Sequence, residues 1–180
     1  SKILSTYGNA FMLRTDSDKK LDQFKKYSSI PIINGLSPSS HPTQVLSDIF
    51  TIQEIKKKSI SKLKLCWIGD ANNNMMNSLV EACIKFSVYL NIACPKSYQP
   101  NKKLISLIKK QKGKIKIFNK KEIAIKNSDV VMTDKIISLN DKVNKKKKLK
   151  SFKNFKVDTK TMNLAKKDAI FLHCLPRGSE

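Results

Sequence analysis

From Leu63 to the end of the chain, short apolar runs alternate with stretches of helical periodicity, and no other feature narrows the possible folds as far. Residues 63–68, 88–94, 115–118, 129–133 and 169–172 read as strands. After the first of them, Leu79, Val80, Cys83, Ile84 and Ser87 mark one side of a helix. Residues 101–111 form another, with Leu104, Leu107 and Ile108 facing in, and 121–126 a short one. Strands that are apolar almost throughout are buried on both faces, and parallel neighbours need crossovers long enough to hold a helix. The pattern therefore predicts an α/β fold with a parallel, doubly wound, Rossmann-like sheet. Only the basic stretch 135–167 is less regular.

The first third reads as part of a second α/β unit. Residues 10–13 look like a strand ending at Arg14, 19–27 a helix, and 30–33 a second strand ending at Asn34. Pro31 sits near that strand's start, where a missing donor is tolerated. Nothing upstream completes a sheet, so this part reads as the back half of a domain. The loop from Asn34 leads into His41-Pro-Thr-Gln44, where Pro42 suits a first helical turn. Val45, Leu46, Ile49, Phe50 and Gln53 continue at helical spacing to about residue 57. His41 and Gln44 lie in that first turn, where free amide groups favour anions. Equally, His41 could simply cap the helix and Gln44 be solvated.

Composition removes several classes of function. The chain has 180 residues and 40% apolar content, enough for one sizeable core or for one domain and part of another. No apolar run is long enough to span a membrane, and the first residues do not read as a signal peptide. Cys66, Cys83, Cys94 and Cys174 show no metal or CxxC spacing, so reduced thiols and a cytoplasmic location are expected, with no metal. The net charge of +22 invites a nucleic-acid reading. However, Arg14 and Arg177 are the only arginines, the lysines are spread out apart from the 145–148 run, and aromatics are not interleaved with them. The charge is read as a solvated lysine surface, with a nucleic-acid-binding module kept as a rival. Gly69-Asp-Ala-Asn72 lacks the glycines of a dinucleotide fingerprint, and no phosphate-loop lysine motif occurs.

Three strands deliver unusual polar groups at their carboxyl ends: Asn72 to Asn74, Asp134 with Ser138, and His173 with Cys174. Singly, each has an ordinary explanation, as turn former, helix cap, exposed hydroxyl or small buried thiol. Parallel strands point their carboxyl ends one way, so together they predict a shared crevice.

These segments resemble the ornithine carbamoyltransferases. The resemblance lies in Asn34-Gly-Leu, His41-Pro-Thr-Gln44, Trp67-Ile-Gly-Asp70 with Asn73-Asn74 and Asn77-Ser78, Pro95-Lys-Ser-Tyr98-Gln-Pro100, Thr133-Asp134 with Ser138, and His173-Cys-Leu-Pro176. It runs in order over essentially the whole chain, and the His-Cys-Leu-Pro run is its most specific part. It implies transfer of a carbamoyl group from carbamoyl phosphate to the δ-amine of L-ornithine, with no cofactor and no metal. Arg14, His41, Pro42, Thr43, Gln44, Cys174 and Leu175 are thereby assigned to carbamoyl phosphate, and Asn74, Asp134, Ser138 and Leu139 to ornithine. Cys174, His41 and Arg14 would act on the reacting groups. An arginine and two hydrogen-bonding side chains suit the charge that develops on a carbonyl oxygen under attack. Residues 1–40 would be a remnant of the carbamoyl-phosphate domain, 41–58 an interdomain helix, and 59–180 the ornithine domain.

The pattern departs from the family in three places. Its phosphate-gripping Ser-Thr-Arg-Thr segment and its C-terminal segment have no counterpart here, so the chain is expected to be a fragment, inactive alone, of an enzyme that forms homotrimers. Its Ser-Met-Gly loop reads Ser138-Leu139-Asn140. Losing the glycine bears on the amine chosen, which leaves putrescine or an acylated ornithine as alternative substrates. A degenerate relative that keeps the fold without the chemistry is a further alternative.

Overall fold

The computed structural model describes residues 1–110, 113–137 and 144–175, and within them the strands fall into two parallel sheets. The smaller pairs β1 (Phe11–Arg14) with β2 (Ile32–Leu36), linked by α1 (Asp18–Tyr27). The connecting helix α2 (Pro42–Lys56) starts with its proline in the first turn, where no amide donor is needed. It ends at Lys57, in the left-handed conformation, whose N–H returns to the Gln53 carbonyl.

The larger sheet holds β3 (Lys64–Ile68), β4 (Tyr89–Ala93), β5 (Ile115–Phe118), β6 (Val130–Thr133) and β7 (Ile170–His173) in the order β5-β4-β3-β6-β7. Between them run α3 (Asn74–Lys85), α4 (Lys102–Lys109), α5 (Lys121–Ala124), α6 (Lys145–Phe152) and α7 (Thr159–Met162). This is the doubly wound parallel sheet that the alternation predicts. Strand β3 explains both layers: successive side chains point to opposite faces. Leu65 and Trp67 enter a core with Ile49 and Ile52 of α2, Met76 and Leu79 of α3, and Leu104 of α4. Cys66 and Ile68 enter a second core with Ala124, Ile125 and Val131, flanked by Phe155 and Met162.

Several expectations are corrected. β2 does not stop at Ile33: parallel pairing with β1 carries it through Asn34, opposite Leu13, to Leu36. Gly35 permits that approach, because a Cβ there would lie 3.0 Å from Met12 Cγ. On α2, Ile52 rather than Gln53 completes the buried stripe, while Leu46 and Phe50 are 54% and 63% exposed. The irregular basic stretch contains α6 and α7; its apolar periodicity is thin, with Phe152 as the buried anchor of α6. The solvated-lysine reading fails for Lys148, whose side chain is only 3% exposed because it pairs with Asp70. None of the helices among the described residues is long and apolar enough to cross a membrane.

Strands β3, β6 and β7 are neighbours, with Trp67 opposite Met132 and Thr133 opposite His173. Their carboxyl ends therefore lie side by side, at the rim where open parallel sheets hold ligands.

Candidate active site

At that rim the Thr133 hydroxyl donates to the Ile68 carbonyl at 2.6 Å, binding the end of β6 to the end of β3. The next residue, Asp134, accepts from the Cys174 thiol at 2.8 Å and from the Lys135 N–H at 2.7 Å, both through Oδ1. Burial, then the hydrogen bond to Asp134 and its negative charge, push the Cys174 thiol up to about 11. Cys174 is therefore a neutral donor near pH 7, not a nucleophilic thiolate. His173 turns back, its Nδ1 lying 2.6 Å from the Cys174 carbonyl oxygen, and Leu175 is 87% exposed.

The β3–α3 turn forms the second wall. Gly69 sits at a φ of 150°, and a Cβ there would lie 3.3 Å from the Thr133 hydroxyl. The Asp70 carbonyl accepts from Trp67 Nε1 at 3.1 Å and from the Asn73 amide at 3.3 Å. Asn73 caps α3 by accepting from the Met76 N–H at 2.8 Å, so for Asn73 the turn-and-cap reading holds. The Asn74 amide donates to the Ser37 carbonyl at 3.0 Å, and the Ser78 hydroxyl accepts from the His41 N–H at 2.8 Å. Helix α3 thus joins the loop before α2 to the larger sheet.

The third wall is the first turn of α2. His41 stands at the N-cap position, yet its side chain makes no capping hydrogen bond, so capping does not account for the imidazole. Its Nδ1 lies 3.4 Å from the Thr43 hydroxyl, which also reaches the Gly35 carbonyl at 3.3 Å. Burial and then the positive charge of Arg14 lower the His41 pKa, while Asp134 pulls it up. Electrostatically, then, Arg14 from β1, His41 and Asp134, which directly follows β6, share one neighbourhood. Gln44 and Asp48 line a narrow cleft together with Asp134, His173 and Cys174, and Trp67, Met75, Met132 and Leu172 give it apolar lining.

The structure thus brings Gln44, Asp134 and Cys174 into one cleft, whereas His41, Arg14 and Asn74 do not line it: His41 lies within electrostatic reach of Arg14 and Asp134, and Asn74 is bonded to the Ser37 carbonyl. Ser138 and Leu139 lie outside the described residues. Sequence reasoning missed Asp48 and Lys148. Asp48 could have been found four residues after Gln44 on the same helix face; Lys148 is hidden inside a run of identical charges. Among the described residues, no group of three or more His, Cys, Asp or Glu could hold a metal ion.

The same chain can be set beside known proteins. Residues 1–54 match the family described as aspartate/ornithine carbamoyltransferase, carbamoyl-P binding domain, and residues 61–180 its Asp/Orn binding domain. The ornithine carbamoyltransferase of Caldicellulosiruptor saccharolyticus is 42% identical over 187 residues, and that of Methanosarcina acetivorans 37% over 182. Each match covers 100% of this chain, which spans about 60% of the length of these curated relatives. The crystal structure of the anabolic ornithine carbamoyltransferase from Campylobacter jejuni superposes with a TM-score of 0.89 at 38% identity, over 98% of this chain and 59% of that one. The Pyrococcus furiosus ornithine carbamoyltransferase gives 0.85 at 35%, over 97% and 56%. On these matches the chain belongs to the aspartate/ornithine carbamoyltransferase family.

Proposed function

We propose that this chain carries the amine-binding domain and part of the carbamoyl-phosphate domain of an enzyme that converts carbamoyl phosphate and L-ornithine to L-citrulline and phosphate. The observation that carries the reading is the Asp134–Cys174 pair at the rim, lining one cleft with Gln44. Residues 1–40, 41–58 and 59–180 would be the phosphate-domain remnant, the interdomain helix and the ornithine domain. In this reading the lone pair of the ornithine δ-amine attacks the carbamoyl carbon, the carbon–oxygen bond to phosphate breaks, and phosphate leaves with the bonding pair. Arg14 and a neutral His41 stabilise the carbonyl oxygen as it gains charge; Asp134 and Cys174 orient the amine; Asn74, Ser138 and Leu139 hold its amino-acid end. The amine must attack as the free base, and the one proton it gives up leaves with the phosphate. The complete enzyme would be a cytoplasmic homotrimer serving arginine synthesis.

The test is a citrulline assay on residues 1–180 completed at both ends with the flanking segments of the Campylobacter jejuni relative. Citrulline should form from ornithine and carbamoyl phosphate, and the 180-residue chain alone should form none. Turnover of putrescine or N-acetylornithine in preference to ornithine would overturn the choice of amine. Tight nucleic-acid binding at physiological salt, without turnover, would favour the rival binding module.

A further inference from the structure

Asp48 has no place in the roles assigned so far, yet it lines the cleft beside Gln44. The Gln44 Nε2 donates to Asp48 Oδ1 at 2.9 Å, the two residues standing one turn apart on one face of α2. An ionised carboxylate only accepts hydrogen bonds, whereas a primary amide has donors on nitrogen and an acceptor on oxygen. Pairing with Asp48 therefore decides which way round the amide sits. One of the two N–H groups is committed to Asp48, and with the nitrogen fixed on that side the acceptor that Gln44 can offer a ligand is its oxygen. The apolar floor of the cleft, Trp67, Met75, Met132 and Leu172, strengthens such a hydrogen bond and the penalty for leaving it unmade.

We propose that Asp48 is a positioning residue that holds the Gln44 carbonyl oxygen toward the reacting group, so that the site selects an acyl phosphate bearing an NH2 over one bearing a methyl group. The inference rests on the carbamoyl-transfer reading and adds the basis of its donor selectivity. Carbamoyl phosphate and acetyl phosphate differ at that one group. A methyl leaves the oriented acceptor unpaired, which costs the wrong donor on the order of tenfold in affinity.

The experiment uses the enzyme completed at both ends as for the citrulline assay, labelled with nitrogen-15. The Gln44 side-chain amide is followed by NMR during titration with carbamoyl phosphate and, separately, acetyl phosphate, into the tens of millimolar. In the wild type the Gln44 NH2 protons should exchange slowly with water, and carbamoyl phosphate should act at roughly tenfold lower concentration than acetyl phosphate. Asp48→Leu should free the amide and bring the two donors within about threefold of each other, weakening mainly carbamoyl phosphate. Asp48→Asn, whose carbonyl can still accept, should retain part of the preference; Asp48→Ser, too short to reach, replaces the leucine variant if that does not fold. A wild-type preference that persists in Asp48→Leu overturns the inference alone. A wild type that does not respond to carbamoyl phosphate, or does not distinguish the donors, overturns it together with the carbamoyl reading at this site.

Discussion

The Cys174 thiol donates to Asp134 at 2.8 Å across the ends of the neighbouring parallel strands β7 and β6. The bond favours the protonated sulfur, and the same carboxylate repels a thiolate, so both effects add to burial in raising the thiol from 9.0 to about 11. Such a shift cuts the thiolate population roughly a hundredfold, while the more basic thiolate is roughly tenfold more nucleophilic, leaving a net slowing of about tenfold. Iodoacetamide should therefore label Cys174 about ten times more slowly than a free cysteine at pH 8, read by peptide mass spectrometry. Asp134→Asn should restore part of that rate, because burial, the largest cause of the shift, remains. Cys66, Cys83 and Cys94, all buried, should stay unlabelled while the chain is folded. An Asp134→Asn protein labelled no faster than the wild type would show that the carboxylate does not control the sulfur.

Lys148 and Asp70 form an ion pair at 2.7 Å with side chains only 3% and 9% exposed, and the ammonium also lies 5.5 Å from the centre of the Tyr98 ring. Asp70 Oδ1 accepts from the Asn72 N–H at 2.9 Å, so the pair pins α6 to the turn that leads into α3. Removing one partner strands the other charge in the interior. Lys148→Met should thus cost about 3–5 kcal/mol in urea unfolding, whereas replacing both, Lys148→Met with Asp70→Asn, should recover much of it. A surface lysine such as Lys103 changed to Met should alter stability by less than about 0.5 kcal/mol. Equal costs for Lys103 and Lys148 would mean that the buried pair does not form.

His41 sets a pH dependence of known sign. Burial and Arg14 hold its folded-state pKa below the ordinary 6.5, so the unfolded chain takes up the proton first as pH falls. Its contribution is intact above about 6.5 and is lost progressively on acidification through that value and below. Burial and Asp134 raise the Asp48 pKa, which acts with the opposite sign in a more acidic window, so the comparison must be made against a variant. Between pH 7.5 and 5.5 the wild type should lose more of its urea midpoint than His41→Gln does. Parallel losses in the two proteins would remove His41 as the cause.

Much of the architecture was legible because the strands of the larger sheet are apolar on both faces, which leaves a buried parallel sheet as the consistent solution. Asp134 and Cys174 could be placed for the same reason: each follows a strand that no other element interrupts. What stayed hidden was whatever depended on contacts distant in sequence. Ile33 looks like a strand end until Leu13 is known to lie opposite Asn34. Lys148 is chemically identical to its three preceding neighbours, and only the position of Asp70, 78 residues earlier, selects it for burial. Asp48 was visible as a helical neighbour of Gln44, but its meaning depends on the cleft that both residues line.

Gly69 links backbone conformation to the reactive rim, and this can be tested by adding one methyl group. Its φ of 150° is a conformation that side chains rarely adopt, and an added Cβ would press to 3.3 Å from the Thr133 hydroxyl. That hydroxyl bridges β6 to β3 through the Ile68 carbonyl, immediately before Asp134. Gly69→Ala should therefore cost roughly 1–3 kcal/mol of stability, from strain at this single residue. Because the push falls on Thr133, it should also disturb the Asp134–Cys174 hydrogen bond and speed labelling of Cys174 in the folded protein. Gly8→Ala is the control: its nearest neighbour would be the Ala10 carbonyl oxygen at 3.7 Å, an ordinary contact, and stability should move by less than about 0.5 kcal/mol. If Gly69→Ala is as mild as Gly8→Ala, the turn tolerates a side chain and the coupling from β3 through Thr133 to Asp134 is absent.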